Sequence, residues 1–300
     1  MSSWGARATI LLLHLMQRRR VYASEAALLA GIAQTRRAGA APPPPTSATV
    51  EVQATEELGR TVYRLRPTVS APRARVLYLH GGAYCRPITR FHWSFLGELV
   101  QRAGVEVVVP LYPLAPESQG LAAFQFAEAL HARVLQDGDL PLVLMGDSAG
   151  GGLALALAAA ARDRGVAPCD RLMLITPWVD VTVSSPQAET IAPRDPMLAL
   201  DGVRAAGVLY AGAVGTRHER ISPAFGSLAG LPPITMFVGG CDVLGPDAVA
   251  LAHRAKAEGV SVDLQHAPDM IHVWPLLGFA EARQARTHML GVFRTLIDAR

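Results

Sequence analysis

Apolar and polar positions along this 300-residue chain alternate between two periods. Short runs rich in Val, Ile and Leu predict strands at 50–54, 61–65, 75–80, 105–110, 140–146, 171–176, 234–239 and 261–266, the first two as an antiparallel pair. Apolar residues at helical spacing predict helices at 92–103, 119–136, 149–163, 246–258 and 280–298. Continuous apolar strands that alternate with helices indicate an α/β fold, with a mostly parallel central sheet covered by helices on both faces.

Two regions depart from this alternation. Residues 4–38 have helical spacing throughout, and the segment APPPPTS at 41–47 ends it, because consecutive prolines cannot donate helical hydrogen bonds. Residues 181–224 contain several prolines, no strong strand, and a short helical piece at 200–211. An insertion of this length in a regular α/β chain is typical of a lid.

These departures predict the domain organisation. We expect the N-terminal helical segment, 1–48, to pack with the insertion at 181–224 as a helical cap. The cap would cover the carboxyl edge of the sheet, where ligand sites of α/β folds form. The main α/β domain would then consist of residues 49–180 and 225–300.

Composition narrows the class of protein. Hydrophobic residues make up 50% of the chain and charged residues 18%, enough for a large buried core. The net charge of +3 comes from scattered arginines without interleaved aromatic residues, which argues against a nucleic-acid partner. Cys85, Cys169 and Cys241 are too widely spaced for a disulfide framework or a metal motif, so we expect a reducing cytoplasm.

The N-terminal apolar run at 8–16 is too short to span a bilayer. Three arginines follow it at 18–20, whereas a signal peptide carries its charges before the apolar stretch. We therefore expect an amphipathic helix that lies on the protein body, with no stable membrane insertion.

The segment VLMGDSAGGGLAL, residues 143–155, runs from a strand through a glycine-rich turn into a helix. The spacing Gly146-x-Ser148-x-Gly150 predicts a nucleophilic serine on a sharp strand-to-helix turn. A serine hydroxyl needs a neighbouring base, usually a histidine that a buried carboxylate orients. In proteins with this turn the order along the chain is Ser, then Asp or Glu, then His.

The histidine and the acid must therefore follow Ser148. His272 is the favoured histidine, because it lies in the loop after the last predicted strand and can reach the turn. His266 ends that strand, and the other downstream histidines lie in predicted helices or in the insertion. Asp242 directly follows the strand at 234–239 and is the favoured acid. Asp247 stays open as an alternative, although a carboxylate at that position is also explained by the start of a helix.

The segment LHGGAY at 79–84 closes an early strand and offers backbone N–H groups for an oxyanion. We predict an oxyanion hole from the N–H groups of Gly81, Gly82, Ala83 and Ala149. His80 is expected to hold this loop in place.

Three aromatic residues are candidates for lining a substrate pocket: Tyr84, Trp178 and Trp274. A plain core role explains each of them equally well.

Eight sequence blocks occur in the order found in one family: HGGAY, YPLAPE, GDSAGGGLAL, PWVD, DPML, SP at 222–223, LAGLPP and CDVL…MIHVW. From about residue 50 to its end the chain resembles the bacterial hormone-sensitive-lipase-like (family IV) esterases of the α/β-hydrolase superfamily, and its N-terminal helices resemble their cap. The resemblance implies an α/β-hydrolase fold with the triad Ser148, Asp242 and His272. Two departures are Ala83, where relatives more often have glycine, and Val243, where they often have proline.

The expected function is that of a serine carboxylesterase that hydrolyses short-chain acyl esters through an acyl-enzyme intermediate. A lactone hydrolase, or a biosynthetic acyl-transfer or cyclisation enzyme, would use the same triad. A ligand receptor without turnover is a further alternative, against which the retained serine and histidine argue. Neither a metal nor an organic cofactor is expected, the partner is a small ester or lactone, and the family resemblance implies a possible homodimer.

Overall fold

A computed structural model describes residues 2–299 and has a central eight-stranded sheet of order β1-β2-β4-β3-β5-β6-β7-β8. The strands are β1 (Val50–Glu57), β2 (Arg60–Pro67), β3 (Arg75–Leu79), β4 (Glu106–Pro110), β5 (Leu142–Asp147), β6 (Arg171–Ile175), β7 (Ile234–Gly239) and β8 (Val262–Ala267). β2 is antiparallel to both β1 and β4, and every later pairing is parallel. The predicted antiparallel opening and mostly parallel sheet are confirmed.

Helices cover both faces of this sheet. They are α1 (Trp4–Leu15), α2 (Glu25–Ala38), α3 (Arg90–Ala103), α4 (Gly120–Gln136), α5 (Ala149–Asp163), α6 (Gln187–Ile191), α7 (Leu200–Ala211), α8 (Gly245–Ala257) and α9 (Ala280–Asp298). The bounds of α5, α7 and α9 coincide with the predicted ones. No helix within residues 2–299 combines the length and the hydropathy needed to cross a bilayer.

The central strands β3 and β5 are buried at every position because successive side chains point into two different cores. Leu77 and Leu144 enter the first core, which they share with α2, α4, α5, α7 and α8. Tyr78 and Met145 enter the second core, which lies against α1, α3 and α9. The carboxyl ends of these strands therefore meet at one edge, where the loops carry the candidate site.

The predicted helical segment at 4–38 is divided into two α-helices. Gln17, at φ 52°, has a left-handed conformation that interrupts the helix after α1, and a 3-10 turn at Arg18–Tyr22 leads into α2, which Ser24 caps. α2 packs on α7 of the insertion, as expected, but α1 contacts α9. The two apolar segments pack on different neighbours, so only α2 matches the expectation that the N-terminal helices pack with the insertion.

Helix α7 of the insertion packs closely against the N-terminal segment. Gly202 of α7 lies so near Tyr22 that a Cβ atom there would be 2.4 Å from the Tyr22 Cα. A side chain at this position would push α7 away, so the glycine permits the contact between the two parts of the predicted cap.

Candidate active site

The turn between β5 and α5 holds Ser148 in a strained conformation. Its backbone angles are φ 52° and ψ −121°, a region that costs a non-glycine residue roughly 1–3 kcal/mol. Two hydrogen bonds fix the turn: the Ser148 N–H donates to the Ile175 carbonyl at 2.9 Å, and the Trp178 N–H donates to the Ser148 carbonyl at 2.8 Å. The end of β6 and the segment after it therefore hold this conformation.

The glycines around Ser148 are required by close packing. A Cβ atom on Gly150 would lie 1.9 Å from the carbonyl oxygen of Leu79, at the end of β3. A Cβ on Gly146 would lie 2.4 Å from the Gly150 carbonyl oxygen. Both distances are far below van der Waals contact, so the Gly-x-Ser-x-Gly spacing lets the start of α5 touch the strand that leads into the predicted oxyanion loop.

Ser148, His272 and Asp242 lie together at the carboxyl edge of the sheet, as predicted. His272 Nε2 is 2.9 Å from Ser148 Oγ, and His272 Nδ1 is 2.8 Å from Asp242 Oδ2. All three side chains are buried. In the neutral tautomer that fits both contacts, Nδ1–H donates to the carboxylate and Nε2 accepts the serine proton.

The alternative residues lie elsewhere. Asp247 is in the first turn of α8, where burial and the charge of Asp180 raise the pKa of its carboxyl group to about 6. His266 is on the edge strand β8 and is exposed. Neither makes a hydrogen bond to His272 or Ser148 among the contacts of residues 2–299.

The electrostatic surroundings favour a charged His272. Burial lowers the pKa of its imidazole, but the Asp242 carboxylate opposes this through its charge and its hydrogen bond. The sum of these effects raises the pKa of His272 above its ordinary value of 6.5. An imidazolium that forms when Ser148 loses its proton is therefore stabilised in place.

The loop that carries His272 is held by Thr176, a residue that the sequence analysis missed. The Val273 N–H donates to Thr176 Oγ1 at 3.2 Å, across 97 positions of sequence. Thr176 is buried at the end of β6, and Val273 has a φ of 48°. The only sequence signal is a hydroxyl residue at a strand end, which is too common to single it out.

Asp195, from the DPML block of the insertion, supports the loop that carries Asp242. Its carboxylate is fully buried and accepts the Val243 N–H at 3.0 Å, together with the N–H groups of Met197 and Leu198. Burial and the nearby Asp242 charge raise the pKa of Asp195 above its ordinary value. No local pattern indicates a contact over 48 positions, so sequence reasoning could not assign this role.

The predicted oxyanion loop differs from the expectation at one residue. The Gly81 N–H donates to Asp147 Oδ1 at 2.8 Å, so this N–H is already used and Gly81 is removed from the predicted donors. Within residues 2–299, the N–H groups of Gly82, Ala83 and Ala149 donate to no protein acceptor. These three N–H groups are the ones free to bind an oxyanion.

Asp147 is the buried anchor of this loop. Besides Gly81 it accepts the Tyr78 hydroxyl at 2.5 Å, and its other oxygen lies 3.4 Å from His92 Nε2. Burial raises the pKa of Asp147, but the His92 charge and these hydrogen bonds together lower it by more, so the net shift of the pKa is downward. The carboxylate stays ionised and holds the start of the loop against β3.

His80 is buried and also contacts the oxyanion loop. Burial lowers the pKa of its imidazole to about 4, so the ring is neutral at pH 7. His80 Nδ1 lies 2.8 Å from the Gly81 carbonyl oxygen, and the ring stacks on Tyr112 with centroids 4.5 Å apart. These contacts support the expectation that His80 holds the loop in place.

The three aromatic pocket candidates do not form one cluster. Tyr84 and Trp178 are fully buried in the first core and stack with centroids 5.7 Å apart. The Tyr84 ring also stacks on Tyr210 of α7 at 3.5 Å. Trp274 lies in the second core, where it packs edge-on against Phe237. The structure therefore gives Trp274 a core role, away from the other two.

Known proteins of similar sequence share this architecture. The profile of a family described as an alpha/beta hydrolase fold matches residues 76–276. An acetyl-hydrolase of Streptomyces hygroscopicus is 36% identical over 201 residues, 66% of this chain and 67% of that protein. An ethyl acetate hydrolase of Pseudomonas putida is 29% identical over 281 residues, 87% of this chain and 83% of that protein. The crystal structure of an esterase from the bacterial hormone-sensitive lipase family aligns with a TM-score of 0.83 at 28% identity, covering 99% of this chain and 100% of that chain.

The family profile spans more than half of the chain, so the chain belongs to the α/β-hydrolase family. Within that family it is a carboxylic ester hydrolase of the hormone-sensitive-lipase type. The resemblance and the fold class predicted from the sequence blocks are thereby confirmed.

Proposed function

We propose that the protein is a serine carboxylesterase that hydrolyses short-chain acyl esters through an acyl-enzyme on Ser148. The observation that carries this proposal is the unbroken hydrogen-bonded chain from Ser148 Oγ through His272 to Asp242. In that chain a hydroxyl on a rigid turn has a base within hydrogen-bond reach, and the base has an orienting carboxylate.

In the acylation half, Ser148 Oγ attacks the ester carbonyl while His272 Nε2 takes its proton. Asp242 keeps Nδ1–H pointing towards itself and stabilises the imidazolium. The carbonyl oxygen becomes an anion, which the N–H groups of Gly82, Ala83 and Ala149 can bind. When the tetrahedral intermediate collapses, His272 gives its proton to the departing alkoxide, and the alcohol leaves.

In the deacylation half, water takes the place of the alcohol. His272 accepts a proton from this water as it attacks the acyl carbonyl, and the same N–H groups bind the second oxyanion. Collapse returns the proton to Ser148 Oγ and releases the carboxylic acid. Every proton in the cycle moves between His272 and an oxygen, so no other titrating group is required.

Two observations support short acyl chains. The rings of Tyr84, Trp178 and Tyr210 stack on one another in the first core, and the Trp178 N–H donates to the Ser148 carbonyl. The relatives compared above include proteins named for acetyl and ethyl acetate hydrolysis. Large buried rings beside the nucleophile and the names of these relatives both favour a small acyl group.

The test is hydrolysis of p-nitrophenyl acetate, butyrate and decanoate by the wild type and by Ser148→Ala. We expect acetate and butyrate to be preferred over decanoate, and Ser148→Ala to lose at least about 10⁴-fold in kcat. Mass spectrometry of the wild type with a phosphonate inhibitor should find one adduct, on the peptide that carries Ser148.

Ser94→Ala is the matched control, because Ser94 is an exposed serine on α3. It should retain wild-type activity. Turnover by Ser148→Ala at the wild-type rate would refute the mechanism, and a clear preference for decanoate would refute the proposed chain length alone.

A further inference from the structure

Helix α1 has a continuous apolar row that faces solvent. Trp4, Ala8, Leu11 and Leu15 follow the spacing that places residues on one side of a helix. The exposed fractions of its large apolar side chains are Trp4 86%, Leu11 60%, Leu12 54%, Leu15 72% and Met16 60%. Single exposed apolar residues are ordinary on a protein surface, but a contiguous set on one helix face marks an interaction surface.

The opposite side of α1 fixes its orientation. Ala6 is fully buried, and Ile10 and Leu13 pack against the second core. The Ser3 N–H and hydroxyl both donate to the Glu281 carboxylate of α9. Because one face is held in this way, the apolar row cannot turn inward, and it stays at the surface of the folded protein.

The charged side chains of α1 itself and of the turn that follows it have a single sign. Residues 2–24 contain four arginines and no acidic residue. Arg7 lies over the exposed ring of Trp4, with its Cζ 5.9 Å from the ring centroid. Arg18 and Arg20 are exposed directly after the end of the row. A Trp- and Leu-rich face bordered by arginines has the composition of helices that lie in the headgroup region of a membrane.

We propose that α1, through the row Trp4–Leu15 and the arginines beside it, docks the enzyme on the surface of an anionic lipid bilayer. The apolar side chains would enter the boundary between headgroups and acyl chains, and the arginines would pair with lipid phosphates. Docking of this kind leaves the helix parallel to the membrane and requires no spanning segment. It is independent of the esterase mechanism proposed above.

The charge distribution favours lipid over a second copy of this chain. In a symmetric dimer built on α1, each apolar row would face its own copy, and the arginines of one subunit would approach those of the other. Positions 2–24 contain no acidic residue to compensate them, and the Glu281 carboxylate beside α1 already accepts two hydrogen bonds from Ser3. An anionic bilayer supplies both the apolar layer and the opposite charge.

The structure provides an internal optical probe for this docking. Of the four tryptophans, Trp93, Trp178 and Trp274 are buried, and Trp4 alone is exposed. Vesicles of phosphatidylglycerol and phosphatidylcholine should therefore shift the tryptophan emission to shorter wavelength, and vesicles of phosphatidylcholine alone should not. Trp4→Phe should abolish the shift and retain vesicle binding in a sedimentation assay.

Two double variants test the two parts of the surface. Leu11→Gln/Leu15→Gln and Arg18→Gln/Arg20→Gln should each weaken binding to the anionic vesicles by at least about tenfold, with hydrolysis of p-nitrophenyl butyrate unchanged. The control for the first is Val69→Gln, which changes an 80% exposed apolar residue outside α1. The control for the second is Arg60→Gln, at an exposed arginine at the start of β2.

The proposal is overturned if the wild type does not bind the anionic vesicles, or if both double variants bind as tightly as it does. It is also overturned if Leu11→Gln/Leu15→Gln converts a dimer into a monomer in sedimentation velocity and leaves vesicle binding unchanged, because a second copy is then the occupant. Loss of binding with raised salt, in the wild type only, would support the role of the arginines.

Discussion

Alanine in place of Gly150 places a methyl group where the structure has no room for one. Its Cβ would lie 1.9 Å from the Leu79 carbonyl oxygen and 2.7 Å from the His80 carbonyl oxygen, whereas ordinary contacts begin at 3.4 Å. Both obstacles are backbone atoms and cannot rotate away. The first turn of α5 must therefore move from the end of β3 by more than an ångström.

That movement has two measurable consequences. Overpacking costs about 1–3 kcal/mol of unfolding free energy, and the rigid backbone obstacles here place the cost at the upper end, about 3 kcal/mol. It also displaces Ser148 and the Ala149 N–H relative to the oxyanion loop, and a misplacement of about 1 Å in a site of this kind costs roughly 10²-fold in rate. We expect Gly150→Ala to unfold at lower temperature and to lose at least about 10²-fold in kcat on p-nitrophenyl butyrate.

Gly97→Ala is the matched control. Gly97 is also a helical glycine, in α3, but a Cβ there would meet nothing within 4 Å. Alanine at this position should raise the unfolding free energy by about 1 kcal/mol through helix propensity and leave kcat unchanged. A Gly150→Ala enzyme with wild-type melting temperature and kcat would refute the packing argument.

Three further changes probe other parts of the site. Ala83 has a φ of 54°, which costs alanine about 1–2 kcal/mol, and Ala83→Gly relieves this strain at the entropy cost of a glycine. We expect a net stabilisation of about 0.5–1 kcal/mol in denaturant titrations, and a loss of stability would contradict this. Asp242→Asn removes the charge that holds the pKa of His272 above 6.5. The acid limb of the pH profile of kcat/KM reports His272 losing its proton, so this limb should move to lower pH, and a limb that does not move would count against the pair of Asp242 and His272. The pKa of His80 is depressed to about 4 in the folded state, so its contribution to stability is fully present above the unfolded value of about 6.5 and is lost as the pH falls towards 4. Between these two pH values the wild type should lose about 3 kcal/mol more unfolding free energy than His80→Gln in denaturant titrations, and equal losses would contradict this role.

Regular elements were predictable where periodicity and boundary residues agreed. The bounds of α5, α7 and α9 follow from apolar periods that end at glycines or polar residues. The N-terminal region was predicted less well, because the left-handed break at Gln17 carries no glycine or proline signal. Helix α1 is apolar on both sides, and periodicity cannot decide which of two apolar sides packs inward.

In the candidate site, too, some residues could be predicted from the sequence and others could not. Ser148, Asp242 and His272 could be predicted because chain order and strand ends restrict the choice to very few residues. The use of the Gly81 N–H by Asp147 could not, because the acceptor is a side chain 66 positions away. The contacts of Thr176 and Asp195 with the catalytic loops are likewise hydrogen bonds between distant segments, which no local pattern encodes.

The buried carboxylate of Asp195 has a consequence for protein engineering. It belongs to the insertion, yet it accepts a hydrogen bond from the Val243 N–H, directly after Asp242. Grafting the insertion of a related enzyme onto this scaffold therefore changes more than substrate access. A graft without an acceptor at the position of Asp195 would leave the Val243 N–H buried and unpaired, at a cost of about 1–3 kcal/mol. Chimeras that keep this carboxylate should retain activity more often than chimeras chosen by overall sequence similarity.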